Sequence, residues 1–73
     1  LFVMKKLIRV LAFGAFDPLH EGHRFFLERA SLLGDHLTVV VASDAQIASL
    51  KHHVPYQAQS YRMTAVRDLP FVD

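Results

Sequence analysis

The sequence of 73 residues predicts a small α/β fold on a parallel sheet, cut to about two and a half βα units. Three observations carry that expectation. Two short runs, 7–13 and 37–42, are almost continuously apolar; a helical pattern lies between them; and a loop with Gly and His follows the first run. Runs that are apolar on both faces suit strands buried in a parallel sheet. A helix joining two such strands is the crossover of a βαβ unit, which is almost always right-handed.

Each element follows from its residues. Leu7-Ile-Arg-Val-Leu-Ala-Phe13, closed by Gly14, is the first strand, and Leu37-Thr-Val-Val-Val-Ala42 is the second, rich in β-branched residues. From His23 to Leu33, Phe26, Ala30 and Leu33 fall at i, i+4 and i+7, with Arg24, Glu28 and Ser31 opposite. Gly34 is expected to end that helix with a positive φ. Ser43-Asp-Ala-Gln46 has the capping-box pattern and starts a short helix through Lys51, broken by His52-His-Val-Pro55. Gln59 to Leu69 is the next helix, with Met63, Val66 and Leu69 on its apolar side and Arg62 and Arg67 toward the other. Phe71-Val72-Asp73 reads as the opening of a third strand.

Composition narrows the possibilities. With 52% hydrophobic and 21% charged residues the chain needs a core, yet a core of this size supplies no more than about 3–5 kcal/mol. Cysteine is absent, which removes disulfides and thiolate zinc as supports. A net charge of +1 gives no field for generic nucleic-acid binding, so any phosphate recognition is local. No run approaches the ~20 apolar residues of a membrane span, and the basic, apolar start lacks a signal-peptide cleavage pattern. The expectation is a cytoplasmic protein without membrane or nucleic-acid partners. Residues 1–73 form one domain part, in which Leu1, Phe2 and Val3 precede Met4 as extra residues.

The chemistry is concentrated in Gly14-Ala-Phe-Asp-Pro-Leu-His-Glu-Gly-His23, between the first strand and the first helix. Ligands of open α/β sheets bind at the carboxyl ends of strands. Gly14 and Gly22 allow close backbone approach, and the helix N-terminus favours an anion such as phosphate. His20 and His23 converge there as hydrogen-bond donors that a triphosphate could turn into cations. Their i, i+3 spacing, with Gly between, does not suit a helical zinc pair, and no metal ligand is assigned. His36, His52 and His53 read as solvated side chains.

This segment resembles the G-x-F-D-x-x-H-x-G-H signature of the cytidylyltransferase-like nucleotidyltransferases, including glycerol-3-phosphate cytidylyltransferases and archaeal-type FAD synthetases. The likeness continues through Leu33-Gly-Asp-His-Leu-Thr-Val-Val-Val-Ala-Ser-Asp44, Lys51 four residues before Pro55, Arg62, and Pro70-Phe-Val-Asp73. It implies the N-terminal half of a Rossmann-like, HUP-type domain that transfers CMP or AMP from CTP or ATP to a phosphate-bearing acceptor, glycerol-3-phosphate or FMN, releasing pyrophosphate. In that reading His20, His23 and Lys51 are catalytic. Gly14, Ala15, Phe16, Asp17, Gly22 and Arg62 bind nucleotide or phosphate, with Arg62 clamping phosphate and Asp17 serving the acceptor or Mg²⁺, itself held mainly by the nucleotide. Phe16 is also expected in the core.

Departures from the family pattern are Ser60 in place of a common glutamate, His52 and His53 in place of Gly and Arg, and the absence of the serine/threonine motif expected beyond Asp73. They leave two rivals open: a nucleotide-binding module without turnover, or an inactive truncated fold. Homo-oligomerisation through an exposed sheet edge is the expected remedy for the small core.

Overall fold

A computed structural model describes residues 7–73; residues 1–6, among them Leu1, Phe2 and Val3 that were expected to be extra, lie outside the described residues. Strand β1 (Arg9–Gly14) leads into helix α1 (Glu21–Ser31), strand β2 (His36–Val41), helix α2 (Asp44–Lys51) and helix α3 (Gln59–Arg67). The strands pair in parallel, with Arg9 opposite His36 and Gly14 opposite Val41. This is the predicted strand-helix-strand unit. Among the described residues no helix is long and apolar enough to cross a membrane.

Alternation along the strands divides the sheet into two unlike faces. Ala12 and Leu37 point into a core with Leu27 and Ala30 of α1, Val66 of α3, and Phe16 and Leu69 from the segments that follow β1 and α3. On the opposite face Leu11, Phe13 and Val40 are exposed, and Ile47 of α2 joins Phe13 and Val40 in a cleft of about 410 Å³. Neither strand is therefore buried on both faces, although its composition reads that way.

Several local expectations change. The buried face of α1 is Leu27 and Ala30 with half-buried His23, whereas Phe26 and Leu33 are exposed. His23 thus stands one turn before Leu27 on the core stripe. Gly34 does not adopt a positive φ. Its lack of a side chain serves packing, because a Cβ there would lie 2.6 Å from the Ile8 carbonyl oxygen. The α2 capping box forms as expected, Ser43 Oγ accepting from Gln46 N–H and Gln46 Oε1 from Ser43 N–H. In α3 the buried stripe is Arg62 and Val66, continued by Leu69 past the helix end, while Met63 faces solvent. Residues 71–73 do not form a strand, but Asp73 joins β2 by its N–H to the Leu37 carbonyl and its carboxylate to the Leu37 N–H.

Candidate functional site

Helix α1 begins at the carboxyl end of β1, and its cap is made by the two signature histidines. His20 is the N-cap residue, with extended backbone, and its Nδ1 accepts from Gly22 N–H at 3.1 Å. His23 Nδ1 accepts from His20 N–H at 3.3 Å. The two residues thereby do reciprocally what Ser and Glu do in a capping box. An imidazole whose Nδ1 accepts from an amide carries its proton on Nε2, so each ring keeps an Nε2–H donor. The rings stack with centroids 3.7 Å apart and planes 26° from parallel.

Burial is the main reason that the His23 imidazole is held below its ordinary pKa, with the neighbouring His20 and Lys51 adding to it. His23 is thus built as a neutral donor rather than as a cation. Phe16 meets His23 in a T-shaped ring contact, 5.2 Å between centroids, and is itself buried, so it belongs to the core as expected and also seats a site residue. Its backbone is left-handed, φ 53°, which is uncommon for an aromatic residue. Gly14 leaves room for that ring: a Cβ at Gly14 would lie 2.6 Å from Phe16 Cζ. The requirement for glycine there comes first from the protein's own side chain.

Two expected phosphate-site residues are placed otherwise. Arg62 is fully buried and donates from Nε to Gln57 O at 2.9 Å, from Nη1 to Ala15 O and Ala42 O at 2.8 and 2.7 Å, and from Nη2 to Asp44 Oδ1 at 2.7 Å. A guanidinium engaged in this way joins the ends of both strands to the segment before α3, and it corrects the picture of Arg62 as an open phosphate clamp. Asp17 accepts from Tyr56 N–H and Gln57 N–H, each at 2.8 Å, with one carboxylate oxygen apiece. Its hydrogen bonds cross 39 and 40 residues, so it is a long-range tether rather than a local Asx turn. A sequence signal for Arg62 did exist: Arg62, Val66 and Leu69 fall at i, i+4 and i+7. Nothing comparable marks Asp17 as a partner of residues 56 and 57.

Lys51 lies in the last turn of α2, exposed, and lines the cleft together with Gly14 and Ala15. His52 takes the left-handed C-cap position, φ 59°. His36, His52 and His53 are exposed, in keeping with solvated side chains. Among the described residues no group of three or more His, Cys, Asp or Glu side chains gathers as a metal site. The arrangement offers two oriented imidazole donors, a helix N-terminus and, at the cleft beside the end of β1, the ammonium of Lys51, all suited to oxyanions.

Comparison with known proteins points the same way. A family model described as Cytidylyltransferase-like matches residues 11–69. A curated protein named FAD synthase from Aciduliprofundum boonei is 46% identical over 67 residues, which are 92% of this chain and 44% of that protein. Another FAD synthase, from Thermococcus onnurineus, is 45% identical over 94% of this chain and 46% of its own length. Among solved structures, the lipopolysaccharide core biosynthesis protein from Thermoplasma volcanium superposes with a TM-score of 0.84 at 40% identity, covering 93% of this chain and 55% of that one. The chain therefore spans about half the length of the curated relatives it matches. With the signature loop, the parallel strand-helix-strand unit and the family match in agreement, this chain belongs to the cytidylyltransferase-like family.

Proposed function

We propose that this chain forms the triphosphate-facing half of a nucleotidyltransferase that moves a nucleoside monophosphate from CTP or ATP onto a phosphate-bearing acceptor and releases pyrophosphate. The stacked His20–His23 pair carries the reading, because its two Nε2–H donors stand at a helix N-terminus beside a strand end. An acceptor phosphate oxygen attacks the α-phosphorus in line, the new P–O bond forms, and the bond to the bridging oxygen of pyrophosphate breaks. No covalent enzyme intermediate is required. The protein positions the chain of phosphates and answers the charge that builds on their oxygens. His20 and His23 donate to α- and β-phosphate oxygens, and Lys51 meets the triphosphate or the acceptor phosphate as a point charge.

The described residues do not assemble a site of their own for Mg²⁺, and both Asp17 oxygens are engaged with backbone N–H groups. In this proposal Mg²⁺ arrives with the nucleotide phosphates, and no step is assigned to it. The relatives' name supports AMP as the transferred group and FMN as the acceptor, since FAD is the product of joining the two. Calorimetric titration with Mg·ATP and Mg·CTP, paired with pyrophosphate release from ATP plus FMN and from CTP plus glycerol-3-phosphate, tests donor and acceptor together. Binding of Mg·ATP that is lost in His20→Ala is the expected result. Unchanged affinity in that variant would sink the cradle, and binding without release from either pair would leave a nucleotide-binding module in its place.

A further inference from the structure

Arg62 and Asp17 meet on a single residue. Gln57 gives its N–H to Asp17 Oδ1 and receives Arg62 Nε on its carbonyl, so both of its backbone groups are held by the two charged side chains. Asp17 also takes the Tyr56 N–H, and Arg62 reaches forward to Ala15 O, directly after β1, and to Ala42 O, directly after β2. Phe16 lies between Ala15 and Asp17, the two loop residues so engaged. Its left-handed backbone and 2% exposure require neighbours that over-determine it. Those neighbours are the Arg62 bond on one side of Phe16, the Asp17 bonds on the other, and the space above Gly14. The Phe16 ring then meets His23 in a T-shaped contact, and His23 Nδ1 holds the His20 N–H.

We propose that Arg62 and Asp17 are positioning residues for the histidine pair: together they clamp the loop on both sides of Phe16, and the Phe16 ring transmits that clamp to His23. Neither touches substrate. The consequence for nucleotide rests on the function proposed above, but the clamp itself is read without nucleotide. A group misplaced by about 1 Å can cost on the order of 10²-fold in a reaction that depends on orientation, so a clamp of this kind acts on the site and on the fold separately.

The test uses the full chain with ¹⁵N-labelled histidine and long-range proton–nitrogen correlation of the imidazoles at pH 7.5. Arg62→Lys keeps a charge for Asp44 but cannot serve three carbonyls in a fixed fork. Asp17→Asn keeps one acceptor oxygen and sets an amide N–H₂ against a backbone N–H. Val66→Ala lowers stability from the same helix and the same core as Phe16 but removes none of the hydrogen bonds of Arg62 or Asp17. The wild type is expected to show His20 and His23 protonated at Nε2 with Nδ1 accepting. Arg62→Lys and Asp17→Asn are expected to lose that pattern at His23 and to weaken Mg·ATP binding by about tenfold, while Val66→Ala keeps both. The double variant is expected to bind no more weakly than the weaker single one, because both residues act through one loop.

An unchanged His23 pattern in folded Arg62→Lys or Asp17→Asn overturns the proposal, as does an equal disturbance in Val66→Ala. Should Arg62→Lys fail to fold, Asp17→Asn decides alone. If no protein binds Mg·ATP yet the His23 pattern changes as expected, the clamp stands and the nucleotide reading falls.

Discussion

Two polar clusters stand at the same end of the sheet and use their nitrogens in opposite ways. Arg62 is sealed in the interior and directs its donors to three carbonyls and a carboxylate of the protein itself. His20 and His23 turn only Nδ1 inward, to the backbone N–H groups of the helix start, and keep Nε2–H for something outside. Both clusters belong to the stretches that resemble nucleotidyltransferases, and both were expected to meet phosphate. A motif therefore names residues that gather at a site, while the burial of each decides whether it builds the site or faces the ligand. The two roles also differ in how they fail: an interior donor that is removed leaves buried acceptors unsatisfied, whereas an outward donor that is removed leaves only water in its place.

The sharpest way to break the contrast is Arg62→Ala. Removing one partner of a buried charge network costs roughly 3–5 kcal/mol, about as much as a core this small supplies. Far-UV circular dichroism is expected to show the variant unfolded at 25 °C; a folded Arg62→Ala would mean that the carbonyls of Ala15 and Ala42 find other donors and that the two clusters are less different than their geometry implies.

Next in size is Gly14→Ala, which drives a methyl group into the Phe16 ring. Overpacking of this kind costs about 1–3 kcal/mol, and a thermal melt is expected to show the loss together with a displaced Phe16–His23 ring contact in proton NMR. His20→Ala follows. It removes the N-cap acceptor, for about 1 kcal/mol of stability, and is expected to remain folded while triphosphate affinity disappears. A variant that lost stability but kept affinity would move His20 from the outward class to the inward one.

The smallest effect is in the pH dependence. His23 has a folded-state pKa below its ordinary value, so the unfolded chain binds the proton more readily than the folded one. Its contribution to stability is full above about pH 6.5, the unfolded value, and declines as pH falls from there through the lowered folded value. Protonation also turns Nδ1 from an acceptor into a donor and opposes the His20 N–H. Melting temperatures measured from pH 7.5 to 5 are expected to fall in the wild type and to fall less in His23→Gln; parallel curves would show that His23 is not the group responsible.

Much of the architecture is legible in the residues. The two apolar runs, the interposed helix, the Ser43 capping box and the Gly-His loop are local patterns, and local hydrogen bonding and side-chain alternation are enough to produce them. What is less legible is which face of each element is covered. Phe26 and Leu33 satisfy the helical period as well as Leu27 does, but the sheet lies against Leu27 and Ala30. Met63 likewise outranks Arg62 in hydrophobicity, yet Arg62 is inside, because four acceptors from three separate segments converge on its guanidinium. Period alone cannot weigh that convergence, since the acceptors lie 5, 18, 20 and 47 residues away.

The division follows the range of the interactions. By itself the sequence determined the order of strands and helices, the parallel pairing implied by a strand-helix-strand unit, and the loop in which two histidines start a helix. The order and the loop depend on neighbours within a few residues of each other, and the pairing follows from the crossover rule for such a unit. Only the tertiary structure decided that Asp17 and Arg62 grip the same residue from opposite sides, that Phe16 is wedged between them against His23, and that one face of the sheet is covered while Leu11, Phe13 and Val40 remain exposed. These outcomes depend on where distant carbonyls and rings come to rest. A buried polar group is stable only where its partners arrive from elsewhere in the chain.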